Sequence, residues 1–264
     1  MRDLTWRQMR CNDIRMSVDL SGRVVLITGG TKGLGRGLAE AFRAAGAGVM
    51  TCARTAPENA GEDFIAADLR DPVAASGVVE ETVARFGRID LAVNNAGGAP
   101  PANSADMSPR FAEKILALNL LAPLYVAQAA YRAMSDQPGG GGIINIGSLS
   151  GQRPSPGAAI YGAAKAGLAN LTRTLAMEWA PAVRVNMVTV GYLQTEQSDL
   201  FYGDADGVAR VADTMPMKRM VQPGDVASVC LFLATSEAGY VTGANIEVHG
   251  GGEPPPFLAA ASRE

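Results

Sequence analysis

Histidine and cysteine are both scarce in this sequence, which contains one histidine and three cysteines. The cysteines, Cys11, Cys52 and Cys230, form no CxxC pair and no metal-ligand spacing with His249. Because structural zinc sites and disulfide frameworks need clustered or paired ligands, this pattern argues against both, and we expect no bound metal. Few, unpaired cysteines are typical of a reducing compartment, so we expect a cytoplasmic protein.

Strong charge and long apolar runs are also lacking. Charged residues make up 19 % of the chain and the net charge is −3, which gives no reason to expect nucleic acid or a membrane as partner. The longest uncharged stretch, residues 115–131, contains Asn119, Pro123 and Gln128. We therefore expect a helix buried on most sides there, not a membrane span.

The N-terminal segment lacks the apolar core of a signal peptide, because charges occur throughout residues 1–16. We expect a mobile extension there, with Met16 as an alternative start. No linker, repeat or shift in composition divides residues 17–264, and 47 % of the chain is hydrophobic. These features predict a single compact domain.

Short β-branched runs alternate with longer alanine-rich helical patterns along the chain. Strands are predicted at 23–29, 48–54, 63–69, 89–97, 143–148, 183–190 and 243–251, and helices at 35–47, 71–87, 109–135 and 158–180. Such alternation predicts right-handed βαβ units. We therefore expect an α/β fold with a doubly wound, Rossmann-type parallel sheet of seven strands and helices on both faces.

Residues that are typical of ligand sites follow one predicted strand after another. In order they are the glycine-rich run TGGTKGLG (28–35), Arg54, Asp68, the run NNAG (94–97), Ser148, and then Gly191 and Thr195. Ligands of open parallel sheets bind at the carboxyl ends of the strands, where all these residues would lie. The glycine run is spaced G-x-x-x-G-x-G and would let backbone approach a phosphate at a helix N-terminus.

A tyrosine and a lysine lie four positions apart in YGAAK (161–165), on a predicted helix. Tyr161 and Lys165 would share one helix face, so they are either a catalytic pair or an ordinary exposed pair. A nearby ammonium favours the phenolate, which makes a phenol a better acid and base near neutral pH. Ser148 precedes Tyr161 by 13 positions.

With these motifs in this order, the chain resembles the short-chain dehydrogenase/reductase family in its single-domain form, over about residues 20–252. The resemblance implies an enzyme that transfers a hydride between a nicotinamide cofactor and an alcohol or ketone. One departure is that Val190 stands before Gly191, where the family usually has proline.

The resemblance also implies roles for four residues. Tyr161 would be the acid and base, and Lys165 would lower its pKa and bind the nicotinamide ribose. Ser148 would hold the substrate oxygen. Asn119 would help to hold a water that connects Lys165 to solvent.

Cofactor contacts are implied along the whole sheet edge. Besides Tyr161 and Lys165, they are Gly29, Thr31, Lys32, Gly33, Leu34, Gly35, Arg54, Asp68, Leu69, Asn95, Ala96, Gly97, Gly191, Leu193 and Thr195. No carboxylate ends the second strand, whereas Lys32 and Arg54 could bind a 2′-phosphate. We therefore expect a preference for NADP(H), with NAD(H) as the other candidate.

Segment 192–222 is expected to form a substrate lid, and it does not identify the alcohol or ketone.

The apolar helices at 115–131 and 158–180 imply a homo-oligomer, a tetramer before a dimer, because relatives in the family that the chain resembles pack the matching helices across a two-fold axis. A serine hydrolase is disfavoured because GSLSG (147–151) has Leu149 at its centre. A cofactor-binding protein without turnover, such as a sensor or partner subunit, remains the alternative.

Overall fold

Seven parallel strands form one sheet in the computed structural model, which describes residues 18–58, 61–196, 198, 202–255, 257 and 261. The strands are β1 (Val24–Thr28), β2 (Gly48–Ala53), β3 (Phe64–Ala66), β4 (Leu91–Asn94), β5 (Gly141–Ser148), β6 (Val183–Val190) and β7 (Asn245–Val248). Their order in the sheet is β3-β2-β1-β4-β5-β6-β7. The predicted seven-stranded, doubly wound sheet is confirmed, while the predicted extension at 1–16 lies outside the described residues.

Seven α-helices connect or follow these strands in the part of the chain that is described. They are α1 (Gly33–Ala44), α2 (Pro72–Phe86), α3 (Pro109–Leu116), α4 (Ala122–Ser135), α5 (Ala159–Trp179), α6 (Ala205–Thr214) and α7 (Pro223–Ala234). Helix α2 has clear signals at both ends: Asp71 accepts a bond from the Val73 N–H at 2.9 Å, Pro72 is the first helical residue, and Gly87 ends the helix at φ 77°.

The helices cover both faces of the sheet, and a separate hydrophobic core lies on each face. One core, which includes Phe42 and Val226, packs α1 and α7 on the sheet. The other, which includes Val126 and Leu175, packs α2, α4 and α5 on the opposite face. Strands that are apolar on both sides are thereby buried, and their carboxyl ends form one shared edge.

The predicted long helix at 109–135 is divided into three parts. A π-helical turn, Ala117–Leu121, joins α3 to α4 and contains the fully buried Asn119. By length and composition alone this helical region could cross a membrane. It is a core helix here, because α4 packs against α2, β4 and β5.

Three predicted strands are much shorter than expected, among them β4, whose predicted range included the NNAG loop, and two helices, α6 and α7, were missed. β3 and β7 have only three and four residues, and both lie at edges of the sheet, where a strand pairs on one side only. Helix α7 begins at Pro223, after Gln222, whose N–H donates to Asp225 Oδ2 at 2.8 Å. It packs closely on α1, because a Cβ at Gly37 would lie 2.5 Å from the Pro223 side chain.

Candidate active site

The loops after β1 and β4 are joined at the sheet edge by Thr28 and Asn95. Thr28 Oγ1 accepts bonds from the N–H groups of Asn95 at 3.0 Å and Ala96 at 2.9 Å. The Asn95 amide donates to the carbonyls of Thr28 at 2.9 Å and Gly29 at 3.1 Å. This reciprocal set holds the NNAG loop against the glycine-rich loop, so two predicted motifs lie side by side.

Glycine is required at several positions of this edge because atoms of neighbouring residues lie so close. Gly29 has φ +65°, and a Cβ there would lie 3.0 Å from Ala96 Cα. A Cβ at Gly35 would collide with the Gly29 carbonyl, and one at Gly97 would lie 2.7 Å from Asn119 Oδ1. The loops therefore form a narrow cradle of bare backbone, the kind of surface that a phosphate or ribose can approach.

Helix α1 begins at Gly33, so its first N–H groups face this cradle. The Gly33 N–H donates to Glu196 Oε1 at 2.9 Å, which shows that the start of the helix binds an anionic oxygen. Leu34 is buried in the core below the loop, whereas Thr31 is half-buried and Lys32 is exposed. The loop is thus anchored from below and presents its backbone to the edge.

The ends of β2 and β3 place three charged side chains together. Arg54 is exposed at the end of β2, and its positive charge contributes to a lowered pKa of Asp68. The main cause of that lowered pKa is the Arg70 guanidinium, which forms a two-pronged ion pair with Asp68. Leu69 points into the core. Arg54 is therefore the exposed cation at the position where the sequence predicts a 2′-phosphate contact.

Ser148 and Tyr161 are brought together by a tight turn against helix α5. Ser148 ends β5 and accepts a bond from the Ser150 N–H at 3.2 Å. The following 3₁₀ turn, Leu149–Gly151, lies so close to α5 that a Cβ at Gly162 would be 2.5 Å from the Ser150 carbonyl oxygen. Ser148 and Tyr161 line the same cavity, so the structure brings the two residues together, while their catalytic roles stay a prediction.

Lys165 is buried beneath this cavity, with 3 % of its surface exposed. Its ammonium donates to the Ile146 carbonyl at 2.8 Å and lies 5.8 Å from the centre of the Tyr161 ring. Burial lowers the pKa of Lys165 to about 8. The alternative that Tyr161 and Lys165 are an ordinary exposed pair on a helix surface is therefore wrong, because Lys165 is buried.

The expected lowering of the Tyr161 pKa is not what the protein alone shows. Burial raises the pKa of Tyr161, and a hydrogen bond from Ser148 only partly offsets that effect. The reason is that a phenolate loses solvation here, while the Lys165 ammonium is held on the Ile146 carbonyl and not on the phenol oxygen. Tyr161 consequently keeps its proton at neutral pH.

Asn119, in the π-helical turn, forms hydrogen bonds that hold the loop after β4 in place. Its Oδ1 accepts from the Gly98 N–H at 2.8 Å, and its amide donates to the carbonyls of Gly98 at 3.0 Å and Ile115 at 2.9 Å. A π turn inside a helix is often found at a functional site. The side chain positions the loop beside Lys165, and the predicted water relay stays a prediction.

A cavity of ≈ 390 Å³ opens above Ser148 and Tyr161. Leu193, Thr195 and Gly191 form its wall from the segment after β6. Leu193 pairs with Val221 in an isolated bridge, which ties together the two ends of the predicted lid. A pocket of this size fits a small molecule.

Arg153 and Tyr192, which no sequence motif indicates, form a polar wall of the cavity. The Arg153 guanidinium donates to the Tyr192 hydroxyl at 2.9 Å and to Ser155 Oγ at 2.8 Å, and it forms an ion pair with Glu253. These residues are far apart in the chain, so no local pattern could have grouped them.

A second polar network behind the site was also not predicted. The Asn94 amide donates to Asn145 Oδ1 at 2.9 Å, and the Asn145 amide donates to Thr172 Oγ1 at 2.9 Å. All three side chains are buried, so the bonds fix α5 in register with β4 and β5. A buried asparagine at the end of a strand is the one sequence signal that could have indicated this network.

The histidine does not assist Ser148. His249 follows β7, its Nε2 lies 2.6 Å from Glu247 Oε2, and its Nδ1 has no partner. Nucleophilic serine chemistry needs a base within hydrogen-bond reach of the hydroxyl. A serine hydrolase is thus excluded by the geometry as well as by the motif.

Within the described residues, no group of three or more histidine, cysteine or acidic side chains could hold a metal.

Comparison with known proteins finds relatives over nearly the whole chain. The chain matches the family described as enoyl-(acyl carrier protein) reductase over residues 29–253. It is 34 % identical to an uncharacterized oxidoreductase of Mycobacterium tuberculosis, covering 88 % of this chain and 92 % of the relative. It is 32 % identical to the 2-dehydro-3-deoxy-D-gluconate 5-dehydrogenase of Dickeya dadantii, covering 88 % of this chain and 96 % of the relative.

Among solved structures, the ligand-free aldohexose dehydrogenase of Thermoplasma acidophilum superimposes with a TM-score of 0.83 at 28 % identity, covering 94 % of this chain and 98 % of that structure. The chain belongs to the short-chain dehydrogenase/reductase family. It is therefore an oxidoreductase that acts on an alcohol or carbonyl group.

Proposed function

We propose that the protein transfers a hydride between NADP(H) and a secondary alcohol or ketone, with Tyr161 as the acid and base. The observation that carries the proposal is that Ser148 and Tyr161 line one cavity beside the glycine-rich cradle, with Lys165 buried beneath it. The cradle fits a dinucleotide, because its glycines admit backbone contact and the Gly33 N–H already holds an anionic oxygen.

In the proposed mechanism, the nicotinamide supplies or accepts the hydride, and the chain's own residues manage position and protons. Ser148 donates a hydrogen bond to the substrate oxygen, and Tyr161 gives that oxygen a proton during reduction. The raised pKa of Tyr161 suits the acid role, because the phenol is protonated at neutral pH. Lys165 places a positive charge beneath the phenol and favours the phenolate that forms.

The buried network supports this geometry. Asn119 holds the loop beside Lys165, and Asn145 holds α5, which carries both Tyr161 and Lys165. A catalytic pair on one helix turn needs such fixed surroundings, because small displacements of a proton donor reduce rates strongly. The segment 192–222 would cover the substrate as a lid.

The substrate class is proposed from the wall of the cavity and from the relatives. Arg153 and Tyr192 offer donors and acceptors to a hydroxylated substrate. Two of the proteins described above act, by name, on a sugar acid and on aldohexoses. A first substrate panel should therefore combine aldohexoses, their acids and simple ketones.

Tyr161→Phe tests the proposal, because it removes the transferable proton and keeps the ring. We expect turnover to fall by at least about 10²-fold, with the nucleotide dissociation constant largely unchanged. The assay follows absorbance of the reduced nicotinamide over the substrate panel. Tyr202→Phe is the matched control, since it removes another hydroxyl from the same cavity.

Near-normal turnover in Tyr161→Phe would reject the assigned mechanism. Nucleotide binding by the wild type without turnover on any substrate would favour the alternative, a cofactor-binding protein that acts as a sensor or partner subunit.

A further inference from the structure

Glu196 places a carboxylate on the start of helix α1. Its Oε1 accepts from the Gly33 N–H at 2.9 Å, and its Oε2 lies 3.4 Å from Arg36 Nη2. The Gly33 N–H is the main cause of a lowered Glu196 pKa, and the charges of Arg36 and Lys32 add to it. The carboxylate is therefore ionised at neutral pH.

The place that Glu196 occupies is one that attracts anions in general. Helix N-termini present free N–H groups and a partial positive charge, and here an arginine on the first turn lies beside them. Gly33, with φ +50°, belongs to the glycine-rich cradle described above. The diphosphate of a dinucleotide needs the same combination of backbone N–H and cation.

We propose that Glu196 is an affinity-determining residue for the cofactor: its carboxylate holds the place of a diphosphate oxygen and must leave before the nucleotide binds. The proposal rests on the proposed function, in which the cradle binds NADP(H). Because Glu196 directly follows Thr195 in the cavity wall, the exchange moves the beginning of segment 192–222. Nucleotide binding and the position of the substrate wall are thereby coupled.

The coupling has a measurable consequence for affinity. If only a fraction of molecules have Glu196 away from Gly33, the apparent dissociation constant rises in inverse proportion to that fraction. If Glu196 is bonded to the Gly33 N–H in about nine-tenths of the molecules, replacing Glu196 lowers the apparent dissociation constant of the nucleotide about ten-fold. Glu196→Gln should give a smaller effect than Glu196→Ala, because a neutral amide oxygen can still accept from the N–H.

Two simpler explanations predict different results. If Glu196 only stabilises α1, its removal lowers stability and leaves the nucleotide affinity unchanged. If any nearby negative charge weakens binding of an anionic nucleotide, then Glu40→Gln should have the same effect. Glu40 is the matched control, since it lies 3.9 Å from Arg36 Nε on the same helix and has no bond to Gly33.

The experiment measures dissociation constants of NADPH and NADH by fluorescence titration for the wild type, Glu196→Gln, Glu196→Ala and Glu40→Gln. Adenosine 2′-phosphate, which has no diphosphate, is measured by calorimetry as a fragment control. We expect Glu196→Ala to bind both dinucleotides at least about three-fold more tightly, while Glu40→Gln and the affinity for the fragment stay close to the wild type.

If the wild type binds the nucleotides and Glu196→Ala binds them no more tightly, this proposal is overturned and the proposed function is not. Equal tightening in Glu40→Gln, or in the fragment control, would overturn it in favour of a general field effect. Absence of nucleotide binding in the wild type and every variant would overturn the proposed function and this proposal with it.

Discussion

Lys165 is a buried cation without a carboxylate beside it among its described contacts, so its charge opposes folding. Burial lowers its pKa from 10.5 to about 8. Between these two values the unfolded chain binds more protons at this side chain than the folded chain does. The free energy of unfolding therefore rises with pH across this window, because Lys165 loses its proton at a lower pH in the folded state than in the unfolded state.

Lys165→Met should abolish that rise. Relative to this variant, we expect the wild type to gain about 2 kcal/mol of unfolding free energy between about pH 7.5 and about pH 9.5. The measurement is urea unfolding of both proteins at the two pH values. Tyr161 does not interfere, because its pKa is raised above its ordinary value of 10.0. Parallel stabilities of the two proteins across the window would contradict the lowered lysine pKa.

Arg54 determines the cofactor preference in our proposal, because it is the exposed cation at the end of β2. Arg54→Ala should weaken NADP(H) binding by about ten-fold or more, since hydrogen bonds to charged groups contribute roughly 1.5–3 kcal/mol. NAD(H), which lacks the 2′-phosphate, should bind nearly as before. Titration of both cofactors checks this, with Arg85→Ala on α2 as the control.

Equal weakening of the two cofactors by Arg54→Ala would refute the assignment of Arg54. A wild type that already prefers NAD(H) would refute the expected preference itself.

At the level of the elements, the fit of the 3₁₀ turn against α5 decides where Ser148 lies relative to Tyr161. Gly162→Ala would place a Cβ 2.5 Å from the Ser150 carbonyl oxygen, a backbone atom that cannot turn aside as a flexible side chain can. We expect a loss of about 1–3 kcal/mol of stability and a marked fall in turnover. Thermal unfolding and the turnover assay measure the two effects.

Gly167→Ala is the matched control on the same helix. A Cβ there would lie 3.4 Å from Leu120 side-chain carbons, which is ordinary contact, and alanine favours helix by about 0.5–1 kcal/mol over glycine. This variant should be as stable as the wild type or more so. If both variants behave alike, close packing of the turn is not what positions Ser148.

The sequence predicts the strands and the edge residues because their signals are local. Each of β1, β4 and β5 is a short apolar run, and the residues that follow it reach the same edge whatever the helices do. Helix α7 was missed because it is apolar on nearly all sides, which leaves no amphipathic period to find. Its Pro223 and capping Asp225 were the available signals.

The contacts that assemble the site could not be predicted in the same way. Thr28 bonds Asn95 across 67 positions, and Glu196 reaches Gly33 across 163. Such pairings depend on the order of strands in the sheet, not on spacing along the chain. The raised pKa of Tyr161 in the protein alone could not be predicted for a related reason, since its main cause is burial of the phenol.

Considered as a whole, the molecule leaves in contact with solvent a face of α5 that is mostly small and uncharged, with Arg173 as its charged exception. Ala159, Ala163, Ala166 and Asn170 are exposed along one side of α5, and Met177 further along is 84 % exposed. Leu121, at the end of the π-helical turn that precedes α4, is also exposed. Small side chains allow a second helix to approach closely, and exposed apolar faces of this kind commonly mark an interface.

We therefore expect a homo-oligomer in which α5 packs on α5 of a second copy, a tetramer before a dimer. Ala166→Arg should shift the assembly toward smaller species without unfolding it, because the side chain is exposed in the single chain. Light scattering at about micromolar concentration gives the mass, and circular dichroism checks the fold. Ala84→Arg on α2 is the control, since it adds the same charge to another exposed alanine. The prediction is contradicted if the wild type has the mass of a monomer, or if the Ala166→Arg protein assembles as the wild type does. Either result would show that this face of α5 is not an interface.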